Sequence, residues 1–168
     1  MLINFFKAAC EKSTDDLKFG LCDDLDVFPD ETPAYIDNID KSKWIAQVLN
    51  PDSKLVTFTA IDHCIENIVR ADGKDDNKCD CMLTYKDSIT FVELKNRKSG
   101  GWVTEGLNQL AVTIAHFKSN NSLDQYPMRR AHIANNLNPQ FSNSYRGIIQ
   151  KFKNDTGFNL NIKKDIEI

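Results

Sequence analysis

The sequence predicts a single α/β domain in which helices flank a mixed central β-sheet. Three observations lead there. The length of 168 residues suits one domain with its own core. Two strand-like runs, KCDCMLTY and ITFVELKN, are separated only by the turn KDS, which reads as a hairpin. Directly after them, WVTEGLNQLAVTIAHF carries Val103, Leu107, Leu110, Ala111, Ile114 and Phe117 at helical spacing. The domain is taken as residues 1–168, with the core at 58–153 and residues 1–57 as an N-terminal helix and acidic-loop elaboration.

In chain order, LINFFKAACEKS has apolar residues at Leu2, Phe5, Phe6, Ala9 and Cys10, which predicts a short opening helix. The stretch from Gly20 to Lys43, with two prolines and many acids, predicts a loop with a short strand. KSKWIAQVLN reads as a short helix stopped by Asn50 and Pro51. In VTFTAIDHCIENIVR, Ile61, Cys64, Ile65, Ile68 and Val69 form a helical stripe, and Asp62 and Glu66 are four apart on its other face. The hairpin and the long helix follow, then a short strand at RRAHIANN. FSNSYRGIIQKFKNDTGF predicts a closing amphipathic helix, and NLNIKKDIEI an edge strand.

A net charge of −3, from 21 basic and 24 acidic residues, excludes a general attraction to polyanions, so contact with nucleic acid requires a local basic patch. The odd count of five cysteines, with no secretory leader in MLINFFKAACEKSTDD, predicts reduced thiols and a cytoplasmic setting. No apolar run approaches the roughly 20 residues of a membrane-spanning helix.

The chemistry concentrates in the hairpin. Side chains alternate faces along a strand, so Phe91, Glu93 and Lys95 share one side of theirs. Asp80, on the partner strand between Cys79 and Cys81, is brought beside Glu93 by hairpin pairing. Two adjacent carboxylates repel unless a cation sits between them, and magnesium or manganese takes carboxylate, carbonyl and water oxygens. Water on such an ion becomes a nucleophile near neutral pH, and an adjacent ammonium stabilises charge growing on phosphorus. Metal-assisted phosphodiester hydrolysis is the expectation.

An acid on one strand, followed by acid, any residue and lysine on the next, resembles the motif of the PD-(D/E)XK, or restriction-endonuclease-like, nucleases. Asp80 matches the first acid, and Glu93, Leu94 and Lys95 match the second element as E-L-K. The resemblance covers Ile61 to about Asn136. It implies an α-β-β-β-α-β core, a Mg2+ or Mn2+ ion held by Asp80, Glu93 and the Leu94 carbonyl, and Lys95 positioning the attacking water. It also implies helper roles for Glu66, on the helix before the hairpin, and Gln109, on the helix after it. Cys79 stands where the family name has proline, and no attached DNA-reading domain is evident.

The expected substrate is nucleic acid, with DNA favoured over RNA. Arg97 and Lys98 beside the motif, with Arg129 and Arg130, are the candidate phosphate contacts, although KNRKSGG also reads as a charged turn. Trp102 and Tyr85 suit stacking on a base or, more commonly, core packing. The C-x-C pair lacks the further ligands of a closed zinc site, and no histidine is placed by sequence beside a thiol. A reading of a different class is a catalytically inactive protein-binding module, immunity- or inhibitor-like, whose acidic stretch from Asp23 to Asp40 docks a basic protein. A homodimer is expected if both strands of a duplex are addressed.

Overall fold

The computed structural model of the chain describes residues 2–24, 32–137 and 143–168. Strand β1 (Glu11–Thr14) follows a single 3₁₀ turn at Ala8–Cys10. Next come β2 (Lys18–Cys22), β3 (Tyr35–Asp37), β4 (Ala46–Leu49), β5 (Val56–Ala60), β6 (Cys81–Tyr85) and β7 (Ser88–Lys95). Helix α1 (Trp102–Asn120), β8 (Met128–Asn135), α2 (Arg146–Thr156), β9 (Asn159–Ile162) and β10 (Asp165–Glu167) complete the chain.

The expected mixed α/β domain is present, with two sheets rather than one. The first has the order β1-β5-β6-β7-β8-β9: β1, β5, β6 and β7 pair antiparallel, whereas β7, β8 and β9 run parallel. Parallel neighbours need a crossover, and α1 and α2 supply the two crossovers here. The second sheet, β10-β4-β2-β3, is built mostly from the N-terminal third. Phe91, Leu110, Ile114, Phe117, Ile133 and Phe158 fill the core between the helices and the first sheet. Phe19, Leu21, Val48, Phe58, Leu83 and Val92 fill the core between the two sheets. The central strand β7 is therefore covered on both faces, and every residue from Ser88 to Leu94 is buried.

Three predicted helices are not helices. LINFFKAACEKS forms only its 3₁₀ turn, because Glu11–Thr14 instead pairs with β5 at the edge of the first sheet. KSKWIAQVLN becomes β4, in which Ala46 and Val48 are buried and Gln47 and Leu49 half-buried, a period of two and not of 3.6. VTFTAIDHCIENIVR begins as β5 and then turns irregularly. His63 and Asn67 have φ of 58° and 66°, a left-handed conformation that no α-helix accommodates. Ile61, Ile65 and Ile68 are buried at their helical spacing all the same.

The helix that the resemblance required before the hairpin is thus absent among the described residues, and residues 1–57 supply strands. The acidic stretch from Asp23 to Asp40 carries β3 and a 3₁₀ turn at Lys41–Lys43 follows it, but residues 25–31 lie outside the described residues, as does 138–142, where the closing helix was expected to start. Both predicted C-terminal elements form, and the single expected tail strand is split between the two sheets as β9 and β10.

The second sheet is locked by one close approach. Trp44, almost fully buried, donates its indole N–H to Asp37 Oδ2 at 2.8 Å and lies flat over Gly20. A Cβ at Gly20 would stand 2.1 Å from the indole ring. Gly20→Ala should therefore destabilise the protein by about 1–3 kcal/mol, the usual cost of overpacking, read as a lower urea midpoint. An unchanged midpoint would show that Trp44 moves aside freely.

Cys10 and Cys64 are joined as a disulfide, while Cys22, Cys79 and Cys81 are free and buried. The expectation of five reduced thiols is corrected for that pair. The turn that breaks the predicted third helix carries Cys64 to the start of β1. Among the described residues, no helix is long and apolar enough to cross a membrane.

Candidate active site

The hairpin register pairs Cys81 with Val92, and one step further it sets Asp80 opposite Glu93. Asp80 stands just before β6 and is anchored twice. Its carbonyl accepts from Ile61 N–H at 2.8 Å and Asp62 N–H at 3.3 Å, and its Oδ2 accepts from Leu94 N–H at 2.5 Å. Glu93 projects from β7 beneath α1, where Gly106 leaves room for it: a Cβ there would meet the Glu93 Cγ at 3.3 Å. Both carboxyls are buried, at 6% and 1% exposure.

Lys95 shares the Glu93 face and points into the same groove. Its Nζ lies 2.6 Å from Glu93 Oε1, donates to Gln109 Oε1 at 2.7 Å and stands 3.6 Å from Glu105 Oε2. Gln109, on α1, in turn donates to the Lys78 carbonyl at 3.2 Å, which fixes its amide. Arg97 pairs with Glu105, and its backbone is clasped by Asn135, which donates to Arg97 O at 2.8 Å. These groups line a groove of about 280 Å³, closed on the far side by Asp23 and Ile45 from the second-sheet layer. It opens at the carboxyl end of β7, next to the start of α1, where open α/β sheets characteristically hold ligands.

The electrostatics favour a cation. Among the described residues, Asp23, Asp62, Asp80, Glu93 and Glu105 line the groove against Lys95 and Arg97. Burial pushes the Glu93 carboxyl up to about 8 against the opposing pull of Lys95. Burial, reinforced by the Glu93 charge, holds Asp80 well above the usual carboxylate range. Glu93 Oε2 is buried with no hydrogen-bond partner, an acceptor that in a settled core would be satisfied. Among the described residues, no cluster of three or more His, Cys, Asp or Glu side chains is arranged to hold a metal. Magnesium does not need one, since it commonly uses one or two carboxylates with waters and substrate phosphate. The donor set and the orphaned Oε2 fit such an ion.

A pH dependence follows for the metal-free protein. Between the ordinary value of 4.5 and about 8, native Glu93 keeps a proton that the unfolded chain has released. Native stability should therefore fall as pH rises through that window, and Glu93→Gln should make the slope shallower, leaving the part that buried Asp80 contributes. Urea melts of both proteins in chelator, compared at each pH, check this. Equal slopes would contradict it.

The structure brings Asp80, Glu93, Leu94, Lys95, Gln109 and Arg97 together. It leaves out the others. Glu66 is exposed on the irregular turn, 3.1 Å from Lys7, and does not line the groove; Asp62 occupies that side instead, 3.8 Å from Lys78 and 3.2 Å from His63. Arg129 and Arg130 sit at the other end of their strand, paired with Ile89 and Thr90. Ile89 and Thr90 stand four and three positions before Glu93, so at about 3.3 Å per residue the two arginines lie roughly 10 Å or more from the motif along the strand. Arg129 holds the Tyr126 and Leu123 carbonyls, and Arg130 the Tyr85 hydroxyl and the Glu167 carbonyl, so neither guanidinium lines the groove. Lys98 is exposed on the loop between β7 and α1. Trp102 and Tyr85 are buried, the core alternative.

Cys79 packs into the helix-side core and Cys81 between the sheets, so the two cysteines do not share a face. Burial raises both thiols, which leaves neither as a thiolate near neutral pH. Sequence reasoning missed Asp23 and Asp62. The sequence spacing sets Asp62 on one helical face with Glu66, and the irregular turn with left-handed His63 parts the two.

Compared with known proteins, the chain matches no family model, no curated protein and no solved structure.

Proposed function

We propose that the protein is a metal-dependent phosphodiesterase of the restriction-endonuclease-like type, acting on nucleic acid. The carrying observation is the buried pair of Asp80 and Glu93, one oxygen of it orphaned, with the Lys95 ammonium 2.6 Å away. The succession β5, β6, β7, α1, β8, three antiparallel strands then a helix and a parallel strand, supports the reading, as it corresponds to the β-β-β-α-β part of the core that the motif implied.

In this reading Asp80 and Glu93 hold Mg2+ or Mn2+, with Leu94 lining the same wall. When bound, the ion supplies Lewis acidity and a water activated near neutral pH. Lys95 orients the attacking water and offsets charge on the phosphorus oxygens. Gln109 is a positioning residue: its fixed amide holds the ammonium over Glu93. Arg97, at the groove mouth, contacts the neighbouring phosphate. Asp62, which lines the same groove, would add to the negative charge that attracts a cation there.

Labelled single- and double-stranded DNA and RNA, each incubated with magnesium, manganese or chelator, test the proposal. Metal-dependent cleavage of at least one substrate is expected. Its absence from all would leave the fold without this chemistry, and the protein-binding reading would then stand on the acidic groove.

A further inference from the structure

A second polar cavity lies on the opposite side of the first sheet. There β10 only partly covers the face of β7, β8 and β9, and the opening measures about 230 Å³. Its lining includes Thr90, Arg130, His132, Asn161, Lys163 and Glu167. Apolar residues occupy most other inward positions on this side of the sheet, so a polar cluster here is out of keeping with the inter-sheet core.

Donors dominate it. Thr90, 1% exposed, has a buried hydroxyl with no partner. The Asn161 amide makes no side-chain hydrogen bond in the described structure, and its residue is half-buried. Arg130 uses one guanidinium nitrogen, Nη1, on Tyr85 and on the Glu167 carbonyl, which leaves other N–H groups to donate. The Lys163 ammonium stands 3.0 Å from Glu167 Oε1, the one carboxylate of the lining. His132 is neutral, since burial takes its pKa down to about 4, and its Nε2 is bound to the Lys163 carbonyl at 2.5 Å. The two cations and one carboxylate leave a formal surplus of one positive charge. The volume is below the roughly 300–1,000 Å³ of pockets that take drug-sized ligands.

We propose that this cavity binds a small oxyanion of the phosphate type, held by Arg130 and Lys163 at the rim and by Thr90 and Asn161 on the floor. Such an anion would satisfy the orphaned hydroxyl and match the excess of donors. The site stands apart from the acidic groove and requires no metal. Free phosphate and the terminal phosphate of a nucleotide present the same chemistry.

The test is calorimetric titration with inorganic phosphate in chelator, followed by a 5′-nucleoside monophosphate. Thr90→Val removes only the hydroxyl and keeps the shape, and dropping an unsatisfied hydroxyl leaves the fold intact or more stable. Asn161→Ala is the second variant. Wild type should bind phosphate, and each variant should weaken binding roughly tenfold, the effect of one hydrogen bond to a charged group, without a lower melting temperature. A nucleotide that binds no tighter than phosphate assigns the site to the free anion, and one that binds tighter assigns it to a phosphate carried by a larger ligand. No binding by wild type at millimolar phosphate, or equal binding by wild type and both variants, would overturn the proposal.

Discussion

Lys95→Ala is expected to lower metal-dependent cleavage by roughly 10²–10⁴-fold while manganese still binds, the range found when a positioned proton-transfer or charge-stabilising group is lost. Two effects on the ion oppose each other. Removing the ammonium makes Glu93 harder to ionise, and it also takes a repelling cation away from the metal. Asp80→Asn should behave differently, losing binding and cleavage together. Gln109→Ala should cause a smaller fall, because it frees an ammonium that Glu93 and Glu105 still hold, and should shift the pH profile of cleavage. Circular dichroism must show native folds for all three. A Lys95→Ala protein that cleaves at the wild-type rate would remove the lysine from the mechanism.

Reduction of the Cys10–Cys64 disulfide should cost about 4 kcal/mol, because the bond closes a loop with a sequence separation of 54 residues. For a chain of this size that corresponds to a fall in melting temperature of roughly 8–16 °C. The bond pins the start of β1 against the irregular turn before Lys78, a segment with little regular hydrogen bonding of its own. Differential thiol labelling with mass spectrometry should find three free thiols before reduction and five after. Five from the outset, or no change in melting on reduction, would restore the reduced reading.

The hairpin, α1, β8 and α2 were legible because each is specified locally. The alternation of ITFVELKN, the stripe of α1 with Gly101 in the left-handed conformation at its start, and Gly157 in the same conformation at the end of α2 all act within a few residues. The N-terminal third was not legible, since β1 and β4 gain their partners from β5, β2 and β10, far away in sequence. Ile61, Ile65 and Ile68 imitate a helix through burial alone, while His63 and Asn67 turn the backbone the other way. The same distinction divides the site. Asp80, Glu93 and Lys95 followed from strand alternation and hairpin pairing, and Gln109 from the resemblance that those three carried. Asp23 needed the second sheet, Asp62 the turn, and the misplacement of Arg129 and Arg130 came from reading proximity without strand register.

The central claim is that Asp80 and Glu93 form a live cation site, and titration of the purified protein with manganese by calorimetry tests it most directly. One binding event is predicted for wild type, accompanied by proton release as Glu93 ionises, and its loss in Asp80→Asn. No heat of binding at millimolar manganese, or equal binding by Asp80→Asn, would contradict the account.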